Sequence, residues 1–375
     1  MRNLFAHVLA FLAAALILQG CNLWEFGGGD GLCELTVSIS VSAPSAASKA
    51  AEGTAASKAA TSKASFDASD YVGAMTDGEK MQTLRIVIVR PDGSIEHNRL
   101  LDFSATAKGA YTSVSDVVFE VIGGERKKIY LFANENARKA AAAEGVTESV
   151  VQYDLASLAV GGTFPEQELS DLRISLNSDT DELPGSALPM SECHTIDMPA
   201  SDYHTDLYIT RAAVKFSYLF DNQSGKSYEL SSLTISKASS IEYYLPRVSY
   251  SGDPLAGDYS VSGFEVPNTG NNNYYLYKKP LGKTITAEGD DGSGVTALEP
   301  FYLLEGKYLD SSDSRNYSMS VTLDGTQYSA YFPDVASLPR NTHVVVVITI
   351  GTYGLNWSVD VFPYGEVILN PGFGQ

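Results

Sequence analysis

Between residues 35 and 41 the chain alternates without a fault. Leu35, Val37, Ile39 and Val41 are apolar, while Thr36, Ser38, Ser40 and Ser42 are small and polar. Period-two alternation rich in β-branched residues predicts a half-buried strand over 34–42. Residues 43–65 then become a low-complexity run of Ala, Ser, Thr and Gly. Ala-Ser-Lys-Ala-Ala appears twice in it, and Lys49, Lys58 and Lys63 are its basic residues. A stretch without large apolar side chains builds no core. It predicts an exposed linker, open to proteases, that joins one good strand to the rest of the chain.

The body begins near residue 81. Residues 84–89 read as a strand closed by the turn Arg90-Pro91-Asp92-Gly93. Further strands are predicted at 117–122 and 128–133. Helices are predicted at 136–144 and 148–158, where Ala and Glu are frequent and Gly145 divides them. Residues 177–205, with their Asp, Ser and Pro clusters, read as loop. From Leu207 a fresh series of strands is predicted: 207–220, 227–236, 240–245, 301–304, 317–323, 327–332, 343–350 and 357–361. Turns fall between them at sandwich spacing. The expectation is a mainly β chain of two tandem antiparallel β-sandwich domains, 34–205 and 206–375, the first carrying short helices. The tail 364–375 predicts a last short apolar strand, stopped by Pro371 and Gly372.

The amino end is of a different kind. A short positive start, Met1-Arg2-Asn3, precedes an apolar run over 4–18. That run is short for a bilayer span, which needs roughly twenty apolar residues, and reads as a signal-peptide core. It ends Leu18-Gln19-Gly20-Cys21, which resembles a bacterial lipobox. The expectation is a signal peptide over 1–20, a lipid-modified Cys21 that fixes the chain to a membrane surface, and a tether over 21–33.

Composition narrows the function. The 375 residues carry 45 acidic against 26 basic side chains, a net charge of −19, so no basic field exists to neutralise phosphates and nucleic acid is excluded as a partner. Cys33 and Cys193 can pair in an exported protein or sit as two buried thiols, and the sequence leaves both open. His194 and His204 lie near Asp197 and Asp202, but their spacing matches no finger and no helix face. Asn177, Asp179 and Asp181 begin like a calcium loop, yet the sixth and twelfth positions are Glu182 and Leu188, which breaks the pattern. Residues 289–294 read as an acidic Gly-rich loop. Tyr243, Tyr244, Tyr274 and Tyr275 offer an aromatic patch or sheet packing. No nucleophile elbow, phosphate loop, dinucleotide fingerprint or zinc-protease motif is present, so neither an enzymatic centre nor a metal or cofactor is expected.

Several segments, in this order, resemble fimbrillin-type pilus subunits of Bacteroidetes (the FimA/Mfa-like, type V pilins). They are the lipobox at Cys21, the lone strand with its linker, Ile129-Tyr130-Leu131-Phe132-Ala133-Asn134-Glu135, Leu188-Pro189-Met190-Ser191, Leu207 to Lys215, and Trp357 to Tyr364. The resemblance covers nearly the whole mature chain. It implies an outer-membrane lipoprotein and pilus subunit, supporting adhesion, from which a protease removes the first strand, Leu35 to Val41. A terminal strand of the next subunit, within Val359 to Leu369 and carrying Val359, Val361, Val367 and Leu369, then fills the groove. The implied partners are other pilus subunits and the outer membrane, with host or bacterial surface ligands as further candidates. The chain departs from the family at the cleavage site: no arginine stands between Arg2 and Arg85. Lys49, Lys58 and Lys63 are then the candidate cleavage positions, or the chain stays uncut as an anchor or accessory subunit. A monomeric surface lipoprotein that binds glycan or host protein is the alternative.

Overall fold

The computed structural model describes residues 31–42, 75–140, 146–176, 178–255, 258–265, 267, 274–287, 295–306, 317–331, 338–352 and 354–363. Cys21, Lys49, Lys58, Lys63, Val367 and Leu369 lie outside them, as do the loop 289–294 and the tail. The first half contains β1 (Leu32–Val41), β2 (Thr83–Val89), β3 (Ile95–Asp102), β4 (Ser113–Ile122), β5 (Arg126–Ala133), β6 (Arg138–Ala140), β7 (Thr147–Ser149), helix α1 (Glu166–Ser170), β8 (Arg173–Ser175), β9 (Met190–Asp197) and β10 (Tyr203–Arg211). The second contains β11 (Val214–Asn222), β12 (Tyr228–Ser239), β13 (Ile241–Tyr243), β14 (Val248–Asp253), β15 (Asp258–Phe264), β16 (Tyr274–Ile285), β17 (Val295–Ala297), β18 (Phe301–Leu303), β19 (Ser318–Leu323), β20 (Thr326–Tyr331), β21 (Thr342–Gly351) and β22 (Gly354–Pro363).

The chain is mainly β. Seven strands form one sheet in the order β3-β2-β5-β9-β10-β1-β4. One face of it gathers Leu35, Val37, Ile39, Leu84, Ile86, Ile129, Leu131, Phe119 and Ile209 into a single apolar cluster. The other face, through Val87, Val89, Tyr130 and Phe132, joins a larger core shared with the second half. There, β11, β17, β18, β21 and β22 make one sheet and β12, β16, β19 and β20 another. Side chains of both sheets meet in that core: the Tyr277 ring stacks on Phe301 at 5.2 Å, and the Tyr218 hydroxyl lies 3.6 Å from the Met319 sulfur.

Three expectations change. The sheets are mixed rather than purely antiparallel, because β1 runs parallel to β10 and β11 parallel to β21. The two predicted helices are absent among the described residues. In their place stand the β6–β7 hairpin and a 3-10 turn at Leu155–Ser157. The reason is tertiary. Lys139 is buried and paired with Glu148 at 2.8 Å and Asp181 at 3.1 Å, and that pairing outweighs the helix propensity of the alanines around it. The only α-helix among the described residues is the five-residue α1, behind Pro165. Finally, the predicted loop at 177–205 contains a strand, β9, which pairs along β5 from Met190↔Ala133 to Asp197↔Arg126.

Candidate functional site

The strand read most clearly from the sequence occupies a slot in the first sheet. β1 is paired on both edges, parallel with β10 from Leu35↔Tyr203 to Val41↔Ile209 and antiparallel with β4 from Leu32↔Ile122 to Ser40↔Ser113. Leu35, Val37, Ile39 and Val41 point into the first core and are 0, 0, 1 and 5 % exposed. Thr36, Ser38 and Ser40 sit half-buried on the opposite face, as period two requires. Cys33, expected in the tether, belongs to the strand and to its buried face. It packs so close to Gly123 that a Cβ there would meet its sulfur at 2.7 Å. Cys193, on β9, is exposed, and both cysteines are free thiols.

Each end of β1 is held by a polar contact. At the start, the Asp202 carboxylate accepts the Glu34 N–H at 2.9 Å, and Gly123 N–H donates to the Gly31 carbonyl at 3.0 Å. At the finish, the Asn341 side-chain amide donates to the Ser42 carbonyl at 2.9 Å, while its oxygen accepts from the Arg211 guanidinium at 2.8 Å. Asn341 is buried and holds φ at +61°, a left-handed conformation that Asn tolerates better than most residues. Arg211 also donates to the Glu79 carbonyl at 2.7 Å. The buried Glu79 carboxylate takes Lys215 at 2.7 Å and the Tyr302 hydroxyl at 2.6 Å. The exit of β1 is thus wired to a charged cluster that both halves build.

Other candidates from the sequence do not converge. His194 lies on β9 and bonds the Tyr208 carbonyl at 2.7 Å, with burial holding its pKa below the ordinary value. His204 lies on β10, its ring 3.3 Å from the Ser38 hydroxyl. Asp202 and His204, read as loop residues, therefore line the β1 slot. No cluster of metal-ligating side chains occurs among the described residues. Tyr243 and Tyr244 are buried and cannot form an exposed patch. The Tyr244 hydroxyl donates to the Met190 carbonyl at 3.0 Å, and Arg247 stacks over Tyr243 at 3.8 Å. Val359 and Val361 lie in β22 and pair with Val346 and Val344 at one side of the second half's sheet.

No protein-family model matches the sequence, and no curated protein does. Solved structures do match. A candidate cell adhesion protein from Parabacteroides distasonis aligns at 14% identity over 90% of this chain and 98% of its own, with a TM-score of 0.52. The tip fimbrial protein Mfa3 from Porphyromonas gingivalis aligns at 11% identity over 89% of this chain and 100% of its own, TM-score 0.48. A fimbrilin (FimA) from the same species aligns at 14% identity over 89% and 98%, TM-score 0.46. The chain is similar in fold to that Parabacteroides cell adhesion protein. At these identities the likeness speaks for the fold, and the slot's role has to be argued from its own residues.

Two features of the slot were missed by sequence reasoning. Asn341 carried no signal in a single sequence. β3 was overlooked although the Asp92-Gly93 turn ahead of it announces a hairpin, because Glu96, His97, Asn98 and Arg99 blur its alternation.

Proposed function

We propose that the chain is a cell-surface pilus subunit, exported as a lipoprotein through Cys21. In this reading β1 is a replaceable strand: cleavage in the linker releases it and a terminal strand of another subunit takes its slot. One observation carries the reading. β1 completes a sheet from the inside, with both edges paired and four large apolar side chains buried, yet in sequence it precedes a linker that can build no core. Burying each such side chain is worth about 1.5–3 kcal/mol, so an empty slot leaves on the order of 6–12 kcal/mol of apolar burial unmet, besides two open strand edges. Strand addition supplies both, with main-chain bonds giving adhesion and the alternating pockets giving register. Head-to-tail addition does not close on itself and yields a filament.

The carboxyl end supports the reading. Leu355-Asn-Trp-Ser-Val-Asp-Val361 repeats the pattern of Leu35-Thr-Val-Ser-Ile-Ser-Val41, with Leu, Ser and Val identical at the first, fourth and last places. The absence of arginine between Arg2 and Arg85 favours a second form of the proposal, in which the chain stays uncut and lipid-bound as an anchor or accessory subunit. Mass spectrometry of the mature amino terminus from cell surfaces tests the choice. A terminus within residues 43–80, found in laddered oligomers, is the expected result for a stalk subunit. A terminus at Cys21 in oligomers selects the anchor, and Cys21 only in monomers refutes polymerisation.

A further inference from the structure

The strand order makes β3 and β4 the two ends of the seven-stranded sheet, yet side chains of one bond the backbone of the other. Glu96 accepts the Ile122 N–H at 2.6 Å, His97 donates to the Glu120 carbonyl at 2.7 Å, and Arg99 donates to the Val118 carbonyl at 3.2 Å. His97 packs edge-on against Phe119 at 5.2 Å, with the Arg99 guanidinium over the same ring at 5.6 Å. The sheet therefore curls until its ends meet. Residues 118, 120 and 122 are alternate, so their backbone groups point to one edge of β4, the edge away from β1. The seam is braced from behind: the fully buried Lys127 on β5 holds the other Glu96 oxygen at 2.7 Å and Glu125 at 2.7 Å.

This bears on what happens when β1 leaves. β1 is the only strand that β4 pairs with along a ladder among the described residues. With β1 gone, β4 and β10 face each other with open edges. β4 is antiparallel to β1 and β1 parallel to β10, so β4 is oriented to pair antiparallel with β10 and close the gap. We propose that Glu96, His97 and Arg99 form a keeper that ties β4 to β3 and prevents this collapse, so that the slot stays one strand wide for the incoming strand. The inference rests on the strand-replacement reading and names the residues that make replacement possible.

The test uses the full chain with Cys21→Ser and a protease site introduced within residues 43–65. After cutting, the chain is offered an excess of a fluorescent peptide of residues 31–42 in mild urea. The parent chain is expected to take up the peptide. In the double variant His97→Ala, Arg99→Ala the uncut chain keeps its β-sheet circular dichroism, and after cutting peptide uptake falls about ten-fold or more. Equal uptake by parent and variant overturns the keeper while leaving strand replacement intact. A cut parent that takes no peptide overturns strand replacement, and the keeper falls with it. Should the uncut double variant fail to fold, Arg99→Ala alone is judged by the same comparison, and uptake equal to the parent refutes the keeper.

Discussion

The register of β1 can be tested by cutting side chains back one face at a time. Leu35→Ala and Ile39→Ala each remove buried methyl groups from a site with no access to water. Such truncations cost about 2–5 kcal/mol, the spread reflecting how far neighbours relax into the cavity. Here Leu84, Leu131 and Phe119 belong to rigid paired strands of the same cluster, so little collapse is expected and about 3 kcal/mol each is the working figure. Thr36→Ala and Ser40→Ala act on the half-buried opposite face. Their side-chain contacts are few, Thr36 reaching the exposed Glu34 at 3.4 Å, and each should cost within about 0.5 kcal/mol. Urea unfolding of the uncut chain measures both sets by the shift in midpoint at constant slope. The inward pair should lower the midpoint several times more than the outward pair. A strand slipped by one residue exchanges the two faces. Equal losses, or a larger loss at Thr36 than at Leu35, would refute the placement of β1 and with it the slot.

Three further outcomes follow from the site. Asn341→Ala removes both the amide that holds the Ser42 carbonyl and the acceptor for Arg211, leaving buried polar groups unmet. A loss of about 1–3 kcal/mol is expected in urea unfolding, whereas no loss would show that Asn341 does not hold the end of β1. Burial pushes the Glu192 carboxyl up from 4.5 to about 8, so between those pH values the native state holds a proton that the unfolded chain releases, and its contribution to stability falls as pH rises. Glu192→Gln should flatten that fall, and an unchanged slope would discount it. His343, buried and beside Lys215, is pulled down to about 3, so the unfolded chain binds its proton first. The His343 contribution therefore drops as pH falls from 6.5 towards 3, opposed by that of Glu192 until about pH 4.5, and His343→Gln should lessen the drop measured by thermal unfolding below that pH.

What the sequence made legible was local and periodic. β1 announced itself because one face is core and the other small and polar, so each residue reports its direction. β21 was equally clear, since seven consecutive buried positions leave few alternatives to an interior strand. What stayed hidden depends on residues far apart in sequence. Lys139 needs Asp181, forty-two residues on, to explain why an alanine-rich segment is not helical. Asn341 needs Ser42, 299 residues away. β3 is polar because its side chains serve the backbone of β4, which turns a structural role into what reads locally as a loop.

The slot also has a direction, and this constrains how copies would assemble. β1 is entered from Gly31, beside Gly123 and Asp202, and left through Ser42, beside Asn341 and Arg211. A replacement that keeps the same ladders must run the same way, parallel to β10 and antiparallel to β4, because reversal would change the bonding pattern on both edges. If the replacement is the carboxyl end of another copy, its free terminus reaches the Asn341 end, and its body lies beyond the Gly123 end. Cysteines placed at Gly124 and at a donor residue just ahead of Val359 should then cross-link in oligomers. The same donor cysteine paired with one at Ser42 should not. Cross-linking at Ser42 instead would mean the strand enters reversed, and the polar contacts at the two ends of β1 would not be the features that select it.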